Sequence, residues 1–435
     1  MVESAAIQAD TSWFIHDRFG IFIHWGIYAQ AARHEWVKSR ERIDDAKYQK
    51  YFDHFNPDLY DPRHWAKTAR EAGMKYFVIT TKHHDGFCLW DTKFTDYKVT
   101  NTPYGKDLLR PMIEAFRAEG LKVGLYHSLI DWHHPEFPID ANHPLRDHPE
   151  ALEWNKNRNV EKYAEYLHNQ TRELLTEFGK IDIIWFDYSY PHAEYRSMKG
   201  KGCADWQSEN LITLVRELQP GIIVNNRLDL PAEYPADVTT PEQYQPAEWV
   251  TRNEQRVVWE ACQTFSGSWG YHRDETSWKS PEQLVRMLVN TVSCGGNLLM
   301  NVGPTARGVF DSRATQALEV YRDWIKWHAR SIYGCTQSEY SAPPDVRYTY
   351  NPKTNRLYVH IFAWPFKHLH LPGLAGKVAY AQLLNDASEI CFYEQQKRAE
   401  HNSMAVDTPD AALTLELPVA QPTGVIVPVA ELFLK

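Results

Sequence analysis

The sequence predicts an α/β protein, an irregular (β/α)8-like barrel followed by a small all-β sandwich. Eight short apolar runs have the length and residue types of buried strands. Helical patterns lie between several of these runs, and after Cys335 the pattern changes to short alternating stretches typical of strands. The 435 residues suffice for one barrel with a small appendage.

The predicted barrel strands are residues 19–24, 76–82, 122–127, 181–187, 221–226, 238–242, 257–260 and 297–302.

Helices are predicted between these strands from their 3.6-residue apolar period, at residues 62–73, 108–120, 160–179 and 281–295. The first has Pro62 at its start and Gly73 at its end, as helix punctuation favours. No comparable pattern separates the fifth strand from the sixth. We therefore expect an irregular barrel that lacks one or two helices.

Residues 311–330 read as the closing helix, with Asp311 as its N-cap. Beyond them, short alternating stretches such as 346–350 and 356–362 are divided by Pro, Asn and Gly, which is typical of a sandwich. The boundary is predicted near residue 338, which gives a catalytic barrel over 1–337 and a sandwich over 338–435.

The composition is that of an ordinary globular protein, with 43% hydrophobic and 24% charged residues. A net charge of −9 and the lack of a basic arm argue against nucleic-acid and membrane partners. Six scattered cysteines without a CxxC pair favour free buried thiols and a cytoplasmic location, or export if a signal peptide has been removed. The sequence is compatible with an oligomer.

The strongest functional signal is Asp187, which ends the apolar run of residues 181–187. Side chains alternate along a strand, so Trp185 and Asp187 should point one way and Phe186 the other. A carboxylate at the carboxyl end of a barrel strand lies where such barrels place their chemistry. The alternative is an Asp that only caps the following loop.

Other predicted strand ends also carry polar and aromatic groups, which should meet at one mouth of the barrel. These candidates are His24, Glu35, Trp36, His83, His84, His127, Arg227, Glu242 and Trp269.

Two chemistries compete for this set. A zinc hydrolase would use His24, His83 or His84, His127 and Asp187, but adjacent His83 and His84 would point to opposite faces. No HExxH or cysteine ligand set is present, so no metal or other cofactor is predicted.

The competing chemistry, retaining glycoside hydrolysis, needs two carboxyl groups about 5–5.5 Å apart. Asp187 is then the nucleophile, held ionised by donors such as Arg227. Glu242, Glu260 and Glu35 all remain candidates for the general acid.

A series of motifs in order carries a resemblance to a known family: IHWG, HEW, KHHDGFCLW, GLYHSLIDW, WFDYSY, NNR, TTPE, SWGY and GGNLLMNVGP. Over residues 13–304 the chain resembles the family 29 glycoside hydrolases, the retaining α-L-fucosidases. The resemblance implies a barrel followed by a small β-sandwich.

Position by position, the resemblance implies that Asp187 is the nucleophile and Glu242 the acid/base, with Glu260 as second choice. It assigns the holding of fucose to His24, Glu35, Trp36, His83, His84, Trp185, Arg227 and Trp269. His127, at a position that is often Tyr in relatives, is added to this group.

The implied function is a retaining exo-α-L-fucosidase that releases terminal fucose from oligosaccharides or glycoconjugates without metal. His, Glu and Arg can bind the sugar hydroxyls, while aromatic rings can cover the methyl group of this 6-deoxy sugar. The alternatives are an exo-glycosidase for a galactose-configured sugar and a non-catalytic sugar-binding protein.

Overall fold

The computed structural model describes residues 8–394 and 411–435. Its strands are β1 (Phe19–Ile23), β2 (Tyr76–Lys82), β3 (Lys122–Ser128), β4 (Ile183–Asp187), β5 (Glu194–Tyr195), β6 (Met198–Lys199), β7 (Ile223–Val224), β8 (Thr251–Arg252), β9 (Gln255–Arg256), β10 (Glu260–Thr264), β11 (Asn297–Val302), β12 (Val346–Asn351), β13 (Arg356–Ile361), β14 (His368–Leu371), β15 (Val378–Leu383), β16 (Cys391–Glu394), β17 (Leu413–Glu416) and β18 (Val429–Leu434).

The α-helices are Ser12–Asp17, Tyr28–Ala31, Val37–Arg40, Asp45–Asp53, Pro62–Glu71, Leu109–Ala118, Ala151–Asn155, Val160–Glu177, Cys203–Trp206, Ser208–Leu218, Pro281–Ser293 and Ser312–His328. Short 3-10 helices cover Val99–Asn101 and Ala329–Ser331.

Seven strands form one curled parallel sheet in the order β10, β11, β1, β2, β3, β4, β7. This arrangement confirms the predicted fold class. Neighbours in the sheet are mostly successive along the chain, as right-handed β–α–β units require. The carboxyl ends of all seven strands therefore open at one rim.

The prediction of a strand at residues 238–242 is wrong, although the segment lies between the two edge strands as expected. It makes only isolated parallel bridges, which join Asn225 to Val238, Thr239 to Trp259 and Glu242 to Cys262. Pro241 has no N–H to donate, which prevents a continuous ladder here. The next strand begins at Glu260 rather than at 257, because Val257 bonds to Val250 instead.

The irregular part of the barrel, between β7 and β10, also lacks helices, as the sequence predicts. Within the described residues, no helix separates β7 from β10, and only the β8–β9 hairpin lies there. The five predicted helices are present, and Asp311 caps the last by accepting from the Arg313 amide. The helix Ser208–Leu218 was not predicted.

A buried ion pair, and not a helix, holds the chain that leads into the segment 238–242. Arg216 Nη2 lies 2.6 Å from Asp237 Oδ2, and both side chains are almost fully buried. The same carboxylate accepts from the Val224 amide at 2.7 Å and from the Ala9 amide at 2.7 Å. Asp237 thus joins β7, the N-terminal segment and the chain that leads to Glu242.

Side-chain alternation divides the hydrophobic residues of the sheet into two cores. Inward positions such as Phe22, Tyr126 and Trp185 fill the barrel, while outward positions such as Phe186 pack against the helices. Gly20 makes room inside, because a Cβ there would lie 2.3 Å from the Tyr76 ring. The opposite directions predicted for Trp185 and Phe186 are confirmed.

The C-terminal residues form two antiparallel sheets, ordered β12–β13–β18–β15 and β14–β17–β16, around a second core. Trp324 of the last helix donates to the Ile426 carbonyl at 3.0 Å and so links the barrel to this part. The boundary near residue 338 stays a prediction. All six cysteines are free, four of them buried, and no described helix is long and apolar enough to cross a membrane.

Candidate active site

A single pocket at the carboxyl ends of the strands collects most of the predicted residues. It is lined by Phe22, His24, Glu35, Trp36, His83, His84, Tyr126, Trp185, Asp187, Tyr188, Glu242, Cys262 and Trp269. Arg227 lies against this wall, with its guanidinium 4.6 Å from the centre of the Trp185 ring.

Asp187 ends β4 and turns its carboxylate into the pocket. Its Oδ1 accepts from Arg227 Nη1 at 2.9 Å, and its Oδ2 accepts from the Tyr126 hydroxyl at 2.8 Å. Burial raises the pKa of Asp187, and the Arg227 cation and the Tyr126 hydrogen bond oppose that rise. The same burial, together with Asp187, raises the pKa of Tyr126 far above its usual value, so the phenol remains a donor.

Arg227 Nη1 joins the two candidate catalytic carboxylates, since it also donates to Glu242 Oε2 at 2.7 Å. The two distances limit the separation of the bonded oxygens of Asp187 and Glu242 to about 5.6 Å, which is compatible with the close carboxyl spacing of retaining glycosidases. Burial works against the Arg227 cation, but the carboxylates raise its pKa above the ordinary value.

Glu242 reaches the pocket from irregular backbone. The peptide after it is pinned by a hydrogen bond from the Gln243 amide to the Cys262 carbonyl, with Gln243 at φ 47°. Its side chain is 43% exposed, against 12% for Asp187. One carboxylate is thus enclosed, while the other stands at the open rim.

Glu260, the second choice for the acid, lies outside the pocket lining. It is the first residue of β10 and is therefore deep in the barrel, away from the rim. Its carboxylate accepts from Tyr76 and, at 3.4 Å, from the Trp185 indole. Burial raises its pKa to about 7. Glu260 supports the pocket floor from below.

The structure contradicts the predicted sugar contact of His127. This residue has the parity of the outward positions of β3, so it faces the helix layer and bonds to Thr81 at 3.0 Å. Tyr126, one residue earlier, points inward and bonds to Asp187. The alternation that places Trp185 and Asp187 together could have identified Tyr126, had it been applied to this strand.

Trp269 lies in a loop at the barrel mouth, and this loop is held by contacts with residues that follow β1 and with residues in and after β11. The Glu35 carboxylate accepts from the Gly270 amide at 2.7 Å, and burial raises the pKa of Glu35. A Cβ at Gly303 would lie 2.7 Å from the Trp269 carbonyl, so only glycine permits this close approach. Asn301 also donates to that carbonyl.

Three histidines of the pocket are neutral at ordinary pH. Burial lowers the pKa of His24 to about 3, and it lowers the pKa values of His83 and His84 well below their usual range. His84 Nε2 lies 3.9 Å from Asp187 Oδ2, but a neutral imidazole at that distance makes no ion pair. These rings are polar partners for a neutral ligand.

The alternative zinc set does not come together. His127 lies on the other side of the sheet from the remaining candidates. Among the described residues, no three His, Cys, Asp or Glu side chains are arranged to hold a metal ion. The chemistry available at this mouth is that of carboxylates, an arginine and neutral hydrogen-bonding groups.

A barrel mouth that presents two neighbouring carboxylates has the arrangement that glycoside hydrolases with paired acids use. A model of the alpha-L-fucosidase family matches residues 2–330. The chain therefore belongs to the alpha-L-fucosidase family, as the sequence motifs predict.

Two solved structures and one relative found by sequence agree with this assignment. Alpha-L-fucosidase isoenzyme 1 from Paenibacillus thiaminolyticus is 44% identical, with a TM-score of 0.89 over 98% of each chain. An alpha-L-fucosidase from Bacteroides thetaiotaomicron, trapped as a covalent intermediate with 2-fluoro-fucosyl fluoride, is 27% identical, with a TM-score of 0.82 over 97% of this chain and 95% of its own. Human plasma alpha-L-fucosidase is 27% identical over 83% of this chain and 78% of its own.

Tyr126→Phe should move the acid limb of kcat/KM for an aryl α-L-fucoside to higher pH, by about one unit. The variant loses a hydrogen bond that favours the ionised form, so the pKa of Asp187, already raised by burial, rises further. The measurement is the pH profile of kcat/KM. Tyr188→Phe, from the same pocket, is the control and should leave that limb in place. An unmoved limb in Tyr126→Phe would contradict the coupling.

Proposed function

We propose that this protein is a retaining exo-α-L-fucosidase in which Asp187 is the nucleophile and Glu242 the general acid/base. The observation that carries the proposal is the pair of carboxylates held at one nitrogen of Arg227, 2.9 and 2.7 Å away. The family assignment supplies the sugar, and this pair supports the roles of the two acids.

The reaction takes two displacements at the anomeric carbon. An Asp187 oxygen forms a bond to that carbon as the glycosidic C–O bond breaks, and the leaving oxygen takes a proton from Glu242. Water then attacks the same carbon, gives its proton to Glu242 and releases Asp187 as the carboxylate. Two inversions leave the product in the α configuration.

The different surroundings of the two acids suit these roles. Asp187 is fixed by Arg227 and Tyr126, as an in-line nucleophile requires. Glu242 stands at the exposed rim, where the aglycone would leave and water would enter. The phenol and guanidinium that hold Asp187 also stabilise the charge that returns to it when the intermediate is hydrolysed.

The pocket supports action on a terminal sugar, because its floor is closed. Phe22, Tyr126 and Trp185 fill the barrel beneath it, and Tyr76 and Glu260 lie lower still. A single sugar ring can enter from the rim, while a chain cannot pass through. Aromatic faces in the pocket lining suit the bare methyl of fucose, and neutral imidazoles suit its hydroxyls.

Fucosylated oligosaccharides or glycoconjugates are the proposed substrates. A cytoplasmic location stays a prediction.

The function itself is tested with nitrophenyl α-L-fucoside and early-time proton NMR. We expect hydrolysis that a metal chelator leaves unchanged, with α-fucose appearing before mutarotation produces the β anomer. Initial β-fucose would rule out the covalent mechanism. Absence of hydrolysis with retained fucose binding would instead indicate a sugar-binding protein.

Asp187→Asn should lower kcat by more than about a hundred-fold, equivalent to about 3 kcal/mol of transition-state stabilisation, because the amide is a poor nucleophile. Fucose binding should change little, since the side chain keeps its size, whereas the melting temperature should fall moderately because Arg227 keeps only one of its two charged partners. The measurements are kcat, fucose affinity by calorimetry and thermal unfolding. Asp323→Asn, at an exposed ion pair, is the control. A variant that keeps more than a hundredth of the wild-type kcat would exclude Asp187 as the nucleophile.

Azide distinguishes the two candidate acids. With an activated aryl α-L-fucoside, Glu242→Ala should form its intermediate and release it slowly, and added azide should restore turnover as α-fucosyl azide, since this anion needs no general base. Glu260→Ala should show no azide rescue, because its carboxylate lies beneath Trp185. Rescue of Glu260→Ala without rescue of Glu242→Ala would make Glu260 the acid/base and contradict the assignment to Glu242.

A further inference from the structure

His24 and His84 stand out among the pocket histidines because each is bound through Nδ1 to a neutral side chain. His24 Nδ1 lies 2.6 Å from Asn301 Oδ1, and His84 Nδ1 lies 2.7 Å from Ser128 Oγ. A neutral imidazole carries one proton, so the partner at Nδ1 decides what Nε2 offers to a ligand.

The hydrogen-bond chain at His24 has only one consistent direction. The Trp269 carbonyl can only accept, so the Asn301 atom that lies 2.6 Å from it must be the NH2 group. The Asn301 oxygen then faces His24, and an amide oxygen also only accepts. The hydrogen between them must therefore belong to His24 Nδ1.

The chain at His84 leads to the same result from a different partner. Ser128 has one hydroxyl hydrogen, and its oxygen lies 2.7 Å from the Ile130 carbonyl, which has no hydrogen to give. The hydroxyl hydrogen must therefore lie between Ser128 Oγ and the Ile130 carbonyl oxygen. Ser128 Oγ is then the acceptor from His84 Nδ1, which must carry its own hydrogen.

We propose that Asn301 and Ser128 are positioning residues that hold His24 and His84 in the Nδ1–H tautomer. Both rings then present an unprotonated Nε2 to the pocket as a hydrogen-bond acceptor. His83 differs, because its buried Nδ1 has no partner among the described residues. The proposal rests on the proposed function for its ligand, a sugar.

The consequence is a pocket that selects hydroxyl hydrogens. His84 Nε2 and Asp187 Oδ2 are 3.9 Å apart, and both are acceptors, so a group that contacts either atom is bound well only if it donates. A sugar hydroxyl meets this requirement, whereas an ether or a fluorine atom in its place does not. Burial keeps both imidazoles from taking a second proton, since it lowers their pKa values strongly.

The test is nitrogen NMR of the ligand-free protein with ¹⁵N-labelled histidine, in which protonated and unprotonated ring nitrogens have well-separated shifts. His24→Gln and His84→Gln identify the two signals. We expect a protonated-type shift at Nδ1 and an unprotonated-type shift at Nε2 for both rings between pH 6 and 8. A protonated Nε2 in either ring would overturn the proposal. This readout needs no substrate, so it stands apart from the activity test.

The positioning roles are tested with Ser128→Ala and Asn301→Ala. Each should give the affected ring a mixture of tautomers and lower kcat/KM about ten-fold, as expected for one lost hydrogen bond to the ligand. Ser208→Ala removes an equally buried hydroxyl that bonds to the Leu228 carbonyl, and it should alter neither histidine. If both pocket variants fold and keep a single Nδ1–H tautomer, these residues do not set it. If neither folds, the wild-type spectrum still decides the tautomers.

Discussion

The guanidinium of Arg227 is the group on which the arrangement of the pocket depends. A cation in so enclosed a place would be unstable by several kcal/mol without partners, and two carboxylates supply them. The same contacts keep Asp187 from remaining protonated by burial alone, and they draw Glu242 to its side of the mouth. The guanidinium also lies over the Trp185 ring, 4.6 Å from its centre. The same contacts of Arg227 therefore balance its buried charge and hold the two carboxylates close together.

Strand alternation explains why the pocket contains these side chains and not their neighbours. Successive residues of β3 and β4 face opposite cores, so Tyr126 and Asp187 meet inside while His127 and Phe186 pack against helices. The inward residues include the aromatic rings of Phe22, Tyr76, Tyr126 and Trp185, which close the barrel. This packing makes a blind pocket and holds the polar groups at its upper edge.

The irregular part of the barrel, between β7 and β10, carries Glu242, whereas the regular part carries Asp187. Where regular strands and helices supply Asp187, the wall is enclosed. Where the segment 238–242 makes only isolated bridges, the chain is held by Asp237 and Arg216 and presents Glu242 on irregular backbone. On the proposed assignment, the enclosed wall suits the nucleophile and the irregular segment suits the acid/base.

The sequence alone determined the fold class, most helices, the family and the nucleophile candidate. These depend on apolar periodicity and motif order, which are local. Tertiary structure decided what depends on neighbours distant in the chain: the missing sixth strand, the burial of Glu260 under Trp185 and the outward direction of His127. It also decided the tautomer of His24, because Asn301 and the Trp269 carbonyl reach it only through the closed barrel. Spacing along a chain cannot specify such contacts, since they require β1 and β11 to pair.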